Sequence, residues 1–383
     1  MSKRVYLDNA ATTPLAPEVF DVMAPMLKDV FGNPSSTHSF GRAVKGKIEQ
    51  ARRTVAKLLN VTPGEIVFTS GGTEADNMAI VGAVRDCGVK RIISSPIEHH
   101  AVLHTIEEVE RLNGVKVDHV NLTVNGEVDL DHLEELLKQS DEKTLVSLMH
   151  ANNEIGNLLP LREVGEMCRK YDALFHSDTV QTMGHYRFDL QELPIDFATC
   201  AAHKFHGPKG VGFLYIRNEV KIKPFIQGGA QERSMRGGTE NVYGIIGLAK
   251  ALELSHENAD EHEKHIEGLK DHMMSRLDAE LEGVRYNGIC RDHERSLHTV
   301  LNVTLPKTDK AELLLFNMDL MGVAVSGGSA CTSGSNTGSH VLRGIDVSME
   351  RPSVRFSFSR YNTKEEVDYA IDCLLKIYQK EKV

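Results

Sequence analysis

The sequence predicts an α/β fold, with a large domain built on a mostly parallel sheet and a smaller α+β domain after it. Three patterns carry this expectation. Between residues 61 and 216, short apolar runs alternate with amphipathic helical stretches, an alternation that lays helices over a parallel sheet. A helical stretch from 240 to 280 then crosses a highly charged patch at 255–265, which suits a connector between domains. Beyond it, runs at 299–305, 310–318 and 354–358 precede a final helix after Thr363, a mixed order typical of α+β units. The chain of 383 residues has room for about two domains and a large core. The expected division is 15–258 for the large domain, and 1–14 with 259–383 for the small one.

The strand candidates follow in order. The run Glu65-Ile66-Val67-Phe68 leads into the turn Thr69-Ser70-Gly71-Gly72 and a helical run from 74 to 84. Further candidates are 91–94, 116–120, 144–149, 173–177, 197–200 and 211–216, which makes a seven-stranded sheet the natural expectation. No internal repeat is evident.

Composition narrows the function. A net charge of −10 and a pI near 6.0 argue against nucleic acid as a partner, because phosphate binding wants a basic surface. The N-terminus reaches Asp8 before any signal-like apolar region forms, and no apolar run approaches bilayer-spanning length, so the reading is a cytoplasmic protein with no membrane partner. Six dispersed cysteines without CxxC spacing suggest neither a zinc site nor a disulfide framework. The His203-x-x-His206 pair breaks at a Gly-Pro and lacks a clear third ligand, so no metal is expected.

Within the run Ala201-Ala202-His203-Lys204-Phe205-His206-Gly207, a lysine closes an apolar strand. Burial or nearby positive charge there would disfavour its ammonium form and make it a nucleophile towards carbonyl compounds. Asp178 closes the preceding strand candidate, and ligands of open α/β sheets bind at the carboxyl ends of strands. An amine for a Schiff base and a carboxylate for a pyridinium nitrogen are what proteins contribute to pyridoxal phosphate chemistry. The turn at Gly71-Gly72-Thr73 opens a helix, whose free backbone amides suit a phosphate. In the second domain, Ser326-Gly327-Gly328-Ser329-Ala330-Cys331-Thr332-Ser333-Gly334 sets Cys331 in a glycine- and serine-rich loop. A thiol presented this way is a candidate nucleophile.

Taken together, Tyr6-Leu7-Asp8-Asn9-Ala10-Ala11-Thr12-Thr13-Pro14, Phe31-Gly32-Asn33-Pro34-Ser35-Ser36, Glu98-His99-His100-Ala101-Val102, Asn152-Asn153-Glu154-Ile155-Gly156, His203-Lys204 and Ser329-Ala330-Cys331-Thr332-Ser333 closely resemble the cysteine desulfurases of the class V aminotransferase group. Each piece alone fits an ordinary satisfied polar residue or turn, and the ordered set is what is specific. The resemblance implies a pyridoxal 5′-phosphate enzyme of fold type I, a homodimer converting L-cysteine to L-alanine. Its sulfur would pass as a persulfide on Cys331 to an acceptor or iron–sulfur scaffold protein, for iron–sulfur cluster assembly or transfer-RNA thiolation. A selenocysteine lyase or another class V enzyme is the alternative.

By the same matching Lys204 would bind the cofactor aldehyde, Asp178 its ring nitrogen, and His99 would stack on the ring and assist proton transfer. Asn153 and Gln181 would contact the ring region; Gly72, Thr73 and His203 would bind the phosphate, and Thr239 would reach the phosphate of the neighbouring subunit. Arg355, with Asn33, would hold the substrate carboxylate. One departure stands out: many family members carry serine where this chain has Ala201, and Cys200, Ser70 or a water are the candidates to replace its hydroxyl.

Overall fold

The structure is a computed structural model that describes residues 3–308, 311–327, 338–348 and 350–379. The chain opens with β1 (Val5–Tyr6), α1 (Pro17–Asp29) and α2 (Ser39–Leu58). The alternating region follows as β2 (Ile66–Thr69), α3 (Gly72–Asp86), β3 (Arg91–Ser94), α4 (His100–Asn113), β4 (Lys116–His119), α5 (Leu130–Lys138), β5 (Thr144–Ser147), α6 (Leu161–Lys170), β6 (Leu174–Ser177), β7 (Phe197–Ala201) and β8 (Gly212–Ile216). These seven strands form one sheet in the order β2-β8-β7-β6-β5-β3-β4. Strands β4, β3, β5, β6 and β7 run parallel, whereas β8 is antiparallel to both β7 and β2. The inner strands β3 and β5 are buried along their whole length, as helices on both faces of a parallel sheet require. Edge strand β4 carries Lys116, Asp118 and His119, charges that discourage further pairing.

Local chemistry sets the element ends. Glu65 belongs to a turn rather than to β2, because its carboxylate reaches back to the Thr62 backbone N–H at 2.8 Å in a capping box. Gly114 closes α4 in the left-handed conformation, φ 64°, where a Cβ would be strained. The predicted helical stretch at 240–280 is two helices, α7 (Val242–Glu257) and α8 (Ala259–Glu280), broken at Asn258. The break is where the chain changes core. Ile245, Leu248 and Leu252 of α7 pack with the sheet's helices, whereas Ile266, Leu269 and Met273 of α8 pack in a separate cluster.

The chain continues as β9 (Arg285–Tyr286), β10 (Val300–Thr304), α9 (Leu314–Leu320), β11 (Val323–Ala324), α10 (His340–Gly344), β12 (Ser353–Ser357) and α11 (Lys364–Gln379), which build that second cluster except for α10, whose Val341 and Leu342 pack with Ile97 and Ile155. Here β10 pairs antiparallel with β12 and β9, and β11 pairs in parallel with the N-terminal β1. Val5 and Leu7 therefore join Leu301, Phe356 and Leu374 in one cluster.

A buried ion pair ties the segment after β8 to the sheet. Arg52 of α2 donates to both carboxylate oxygens of Glu232, at 2.7 and 2.8 Å, and Glu232 also accepts from Phe68 N. Both side chains are shielded from water, so removing one partner strands a buried charge, at a cost of about 3–5 kcal/mol. Glu232→Ala is expected to lower unfolding stability by about that much, measured by urea denaturation, whereas Lys307→Ala, at an exposed pair, should change it by less than about 1 kcal/mol.

Candidate active site

Five parallel strands send their carboxyl ends to one edge of the sheet, and the segments leaving that edge wall a cavity of about 240 Å³. His99 follows β3, Asn153 follows β5, Asp178 and Gln181 follow β6, and His203 and Lys204 follow β7. Gly72 and Thr73 enter from the start of α3, Arg355 from β12, and Ala10 and Ala11 from the N-terminal segment. Nine of the sequence-predicted residues thus line one space: Gly72, Thr73, His99, Asn153, Asp178, Gln181, His203, Lys204 and Arg355.

Lys204 sits on a short turn after β7, its Nζ donating to the carbonyls of Ala10 at 2.6 Å and Ala11 at 3.0 Å. Gln181 Nε2 donates to the same Ala10 carbonyl at 3.1 Å. Asp178 Oδ1 accepts from Val180 N at 2.9 Å and from Thr199 Oγ1 at 3.4 Å. His99 caps α4, its Nδ1 accepting from Ala101 N at 3.1 Å, and burial holds its imidazole below the usual range, helped by the Lys204 charge and opposed by Asp178. His203 Nδ1 lies 3.2 Å from Thr12 Oγ1, and burial lowers it to about 4.

The start of α3 is prepared for an anion. Its cap, Gly71, adopts φ 154° and ψ −174°, a region open only to glycine, and among the described residues no side-chain cap closes the start of the helix. A Cβ on Gly72 would come within 2.6 Å of Val180 Cγ2. Aligned peptide dipoles and open N–H groups at such a terminus bind phosphate. The cavity thus combines an amine, a carboxylate, an imidazole and an anion cradle, a donor set that fits pyridoxal phosphate.

Arg355 is buried, and it is already engaged. Its Nη2 meets Asp8 Oδ1 at 2.9 Å and its Nη1 donates to the Asn153 carbonyl at 2.8 Å, while Nε has no hydrogen-bond partner among the described residues. Ala201 lines the cavity, but Cys200 points the other way into the core, where burial pushes its thiol up. Ser70 is exposed and also lies outside the cavity. Neither replaces the absent serine hydroxyl.

Two predicted residues do not join the others. Asn33 is exposed and its Oδ1 accepts from Ser35 N at 2.9 Å. Thr239 is exposed and lines a different cleft, with Arg236 and Glu240. Cys331 lies outside the described residues. Of the other cysteines, Cys168, Cys200, Cys290 and Cys373 are buried and Cys87 is partly exposed. The sequence reading missed Asp8, Asp76 and the carbonyls of Ala10 and Ala11. Asp8, Ala10 and Ala11 stand inside the motif that runs from Tyr6 to Pro14, whereas Asp76 sits one helical turn after Gly72 and carries no local signal beyond that spacing.

The class V aminotransferase family model matches residues 5–370. The chain belongs to this family, among the cysteine desulfurases. It is 44% identical over 384 residues to Cysteine desulfurase IscS of Dictyoglomus turgidum, covering 99% of this chain and 96% of that one. Cysteine desulfurase IscS of Methanosarcina thermophila is 42% identical over 99% of this chain and 93% of its own. Among solved structures, a NifS-like protein from Rickettsia africae superposes with a TM-score of 0.88 at 34% identity, covering 98% of this chain and all of that one (100%). SspA in complex with cysteine gives a TM-score of 0.79 at 32% identity, covering 94% of this chain and 100% of its own. The family works with pyridoxal 5′-phosphate, as the cavity's donor set leads one to expect.

Imidazoles in and around the site, shielded from water, make stability depend on pH. Burial lowers His176 and His206 to about 3 and His185 and His203 to about 4, from an ordinary 6.5. Their contribution is complete above about pH 6.5 and is lost as pH falls toward the folded values, because the unfolded chain takes up the protons first. Asp76 and Glu98, raised by burial above 3.8 and 4.5, work in the opposite sense, losing their contribution as pH rises. Four imidazoles outweigh two carboxyls, so the urea midpoint should fall between pH 6.5 and 4. His206 has a positive φ of 66° and its Nδ1 lies 2.9 Å from the Pro14 carbonyl. His206→Asn keeps a donor and tolerates that backbone, so it should make the acid limb shallower.

Proposed function

We propose that the protein is a pyridoxal-phosphate-dependent cysteine desulfurase that passes sulfur to an acceptor protein through Cys331. The observation that carries this reading is the meeting of Lys204, Asp178 and His99 beside the open amides of α3 in one cavity. Relatives named as cysteine desulfurases favour it over a selenocysteine lyase.

When bound, the cofactor supplies an electrophilic aldehyde and an electron-accepting ring. Lys204 would hold the cofactor through its aldehyde, and its freed amine would serve as the base for the substrate α-proton. Asp178 would pair with the ring nitrogen and favour its protonated form, and His99, Asn153 and Gln181 would hold the ring in place. Gly72, Thr73 and His203 hold the phosphate at the α3 terminus. Arg355, which lines the cavity, takes the substrate carboxylate, with Asn33 as a second contact that requires its segment to come over the cavity. The Cys331 thiolate attacks the substrate sulfur; the carbon–sulfur bond breaks, the carbon is reprotonated, and alanine leaves with a persulfide on Cys331. Atoms balance without an external oxidant.

Thr239 is proposed to act across a homodimer, which its place outside its own chain's cavity favours. The exposed, stacked rings of Phe31 and Phe40, 5.6 Å apart, are an apolar surface suited to such an interface. We divide the chain into a large domain, 15–258, and a small one formed by 1–14 and 259–383. No helix among the described residues is long and apolar enough to cross a membrane, and a cytoplasmic site of action with an iron–sulfur scaffold or other sulfur acceptor completes the proposal.

Incubation with L-cysteine followed by peptide mass spectrometry should find one added sulfur on Cys331, released by reductant. Cys331→Ala should abolish alanine formation while the visible cofactor band still responds to cysteine; alanine formation at the wild-type rate would sink the persulfide route. Borohydride reduction should attach the cofactor to Lys204, and Lys204→Ala should leave it unattached. Ala201→Ser, which restores the family's hydroxyl, should tighten cofactor binding about tenfold, as expected for a hydrogen bond to a charged group, read by equilibrium dialysis.

A further inference from the structure

Behind the cavity lies a buried polar chain that the proposed chemistry does not use. Asp76, on α3 one turn beyond Gly72, is 1% exposed and lines the cavity beside Asp178. Its Oδ1 faces His176 Nε2 at 3.4 Å, and neither atom has a hydrogen-bond partner among the described residues. On its other nitrogen, Nδ1, His176 meets Ser147 Oγ at 2.8 Å across the β5–β6 register. Continuing the β6–β7 register one residue beyond Ser177–Ala198 brings Asp178 beside Thr199. The Thr199 hydroxyl lies 3.4 Å from Asp178 and also interacts with Asp76.

No cation pairs with Asp76 among the described residues. The charged or titratable groups around it are Asp178, Glu98 and His176, with His99, His203, Lys204 and Arg355 on the cavity walls. Glu98 is itself buried and has one unpartnered oxygen. A carboxylate buried in such a place would lose its hydration and face the like charge of Asp178, which disfavours ionisation strongly. A neutral acid meets a complementary neighbour, because its O–H points at the vacant His176 Nε2 while His176 Nδ1–H donates to Ser147.

We infer that Asp76 is a positioning residue, which holds a proton beside Asp178 so that Asp178 alone carries the negative charge facing the cofactor's ring nitrogen. This rests on the reading of Asp178 given above. Burial raises Asp76 well above the ordinary carboxyl range and lowers His176 to about 3, which agrees with an acid and a neutral imidazole rather than an ion pair. Thr199 then turns its hydroxyl to the one anion available, Asp178. The proton on Asp76 thereby keeps Asp178 a full carboxylate.

Infrared spectroscopy of the full-length protein, with and without bound pyridoxal phosphate, reads the C=O stretch of a protonated acid directly. A band should be present at pH 7, lose the Asp76 component in Asp76→Asn, and keep it in Glu98→Gln. In Asp178→Asn the Asp76 component should titrate away at a pH lower by about one unit or more, because the opposing charge is gone. Cofactor binding should weaken roughly tenfold in Asp76→Ala and less in Asp76→Asn, whose amide keeps a donor for His176. The inference is overturned if the wild type has no Asp76-dependent band, or if Asp178→Asn leaves its midpoint in place. An Asp76-dependent band in protein that takes up no pyridoxal phosphate would uphold the proton and defeat the cofactor reading, so the two fail separately.

Discussion

The site depends on one short bridge and turn, residues 8–13, stitched by hydrogen bonds to the three-stranded and the seven-stranded sheets. On one side Asp8 bridges to Ser357, Ala10 N donates to Ser357 Oγ, and Asp8 pairs with Arg355 of the three-stranded sheet. On the other, Ala10 and Ala11 accept from Lys204, Ala10 accepts from Gln181, and Thr13 donates to the His203 carbonyl. Backbone carbonyls and a buried arginine cannot be left without partners at small cost. The strand-end residues of the large sheet and the arginine of the small one therefore keep a common frame, and their mutual placement is set by a segment that contributes none of the proposed catalytic groups.

Around this frame, charge is distributed unevenly. Buried imidazoles near the site are held neutral by the loss of water, so positive charge is concentrated on Lys204 and Arg355. Negative charge collects at Asp178, flanked by carboxyls that burial biases toward the neutral form. An amine and a carboxylate that differ this much from their surroundings are suited to hold opposite ends of one polar ring. The anion cradle at α3 adds a third point of attachment through backbone alone, which needs no side-chain charge.

The groups outside the cavity mark what a single chain supplies. Thr239 borders a separate cleft held in place by the Arg236–Glu74 pair at 2.9 Å, and Asn33 stands on the exposed segment bearing Phe31. Their displacement agrees with the proposed site at an interface, whereas the residues proposed to hold ring, aldehyde and carboxylate are gathered within one chain.

Much of this is legible in the sequence. The seven strands, their order along the chain, and Lys204 placed just past a strand end follow from local periodicity and turn residues, whose effects reach only a few positions. The ordered motifs and the glycine turn name nine residues that the fold gathers into one cavity. Periodicity is silent on long-range partners, however. It does not reveal that β8 turns antiparallel between β2 and β7, or that the pleat of β7 points Ala201 into the cavity and Cys200 into the core. Nor does it pair Asp8 with Arg355, separated by most of the chain, or set Asp76 against His176. Those facts belong to register and packing, where burial decides which polar groups must meet and which must give up their charge.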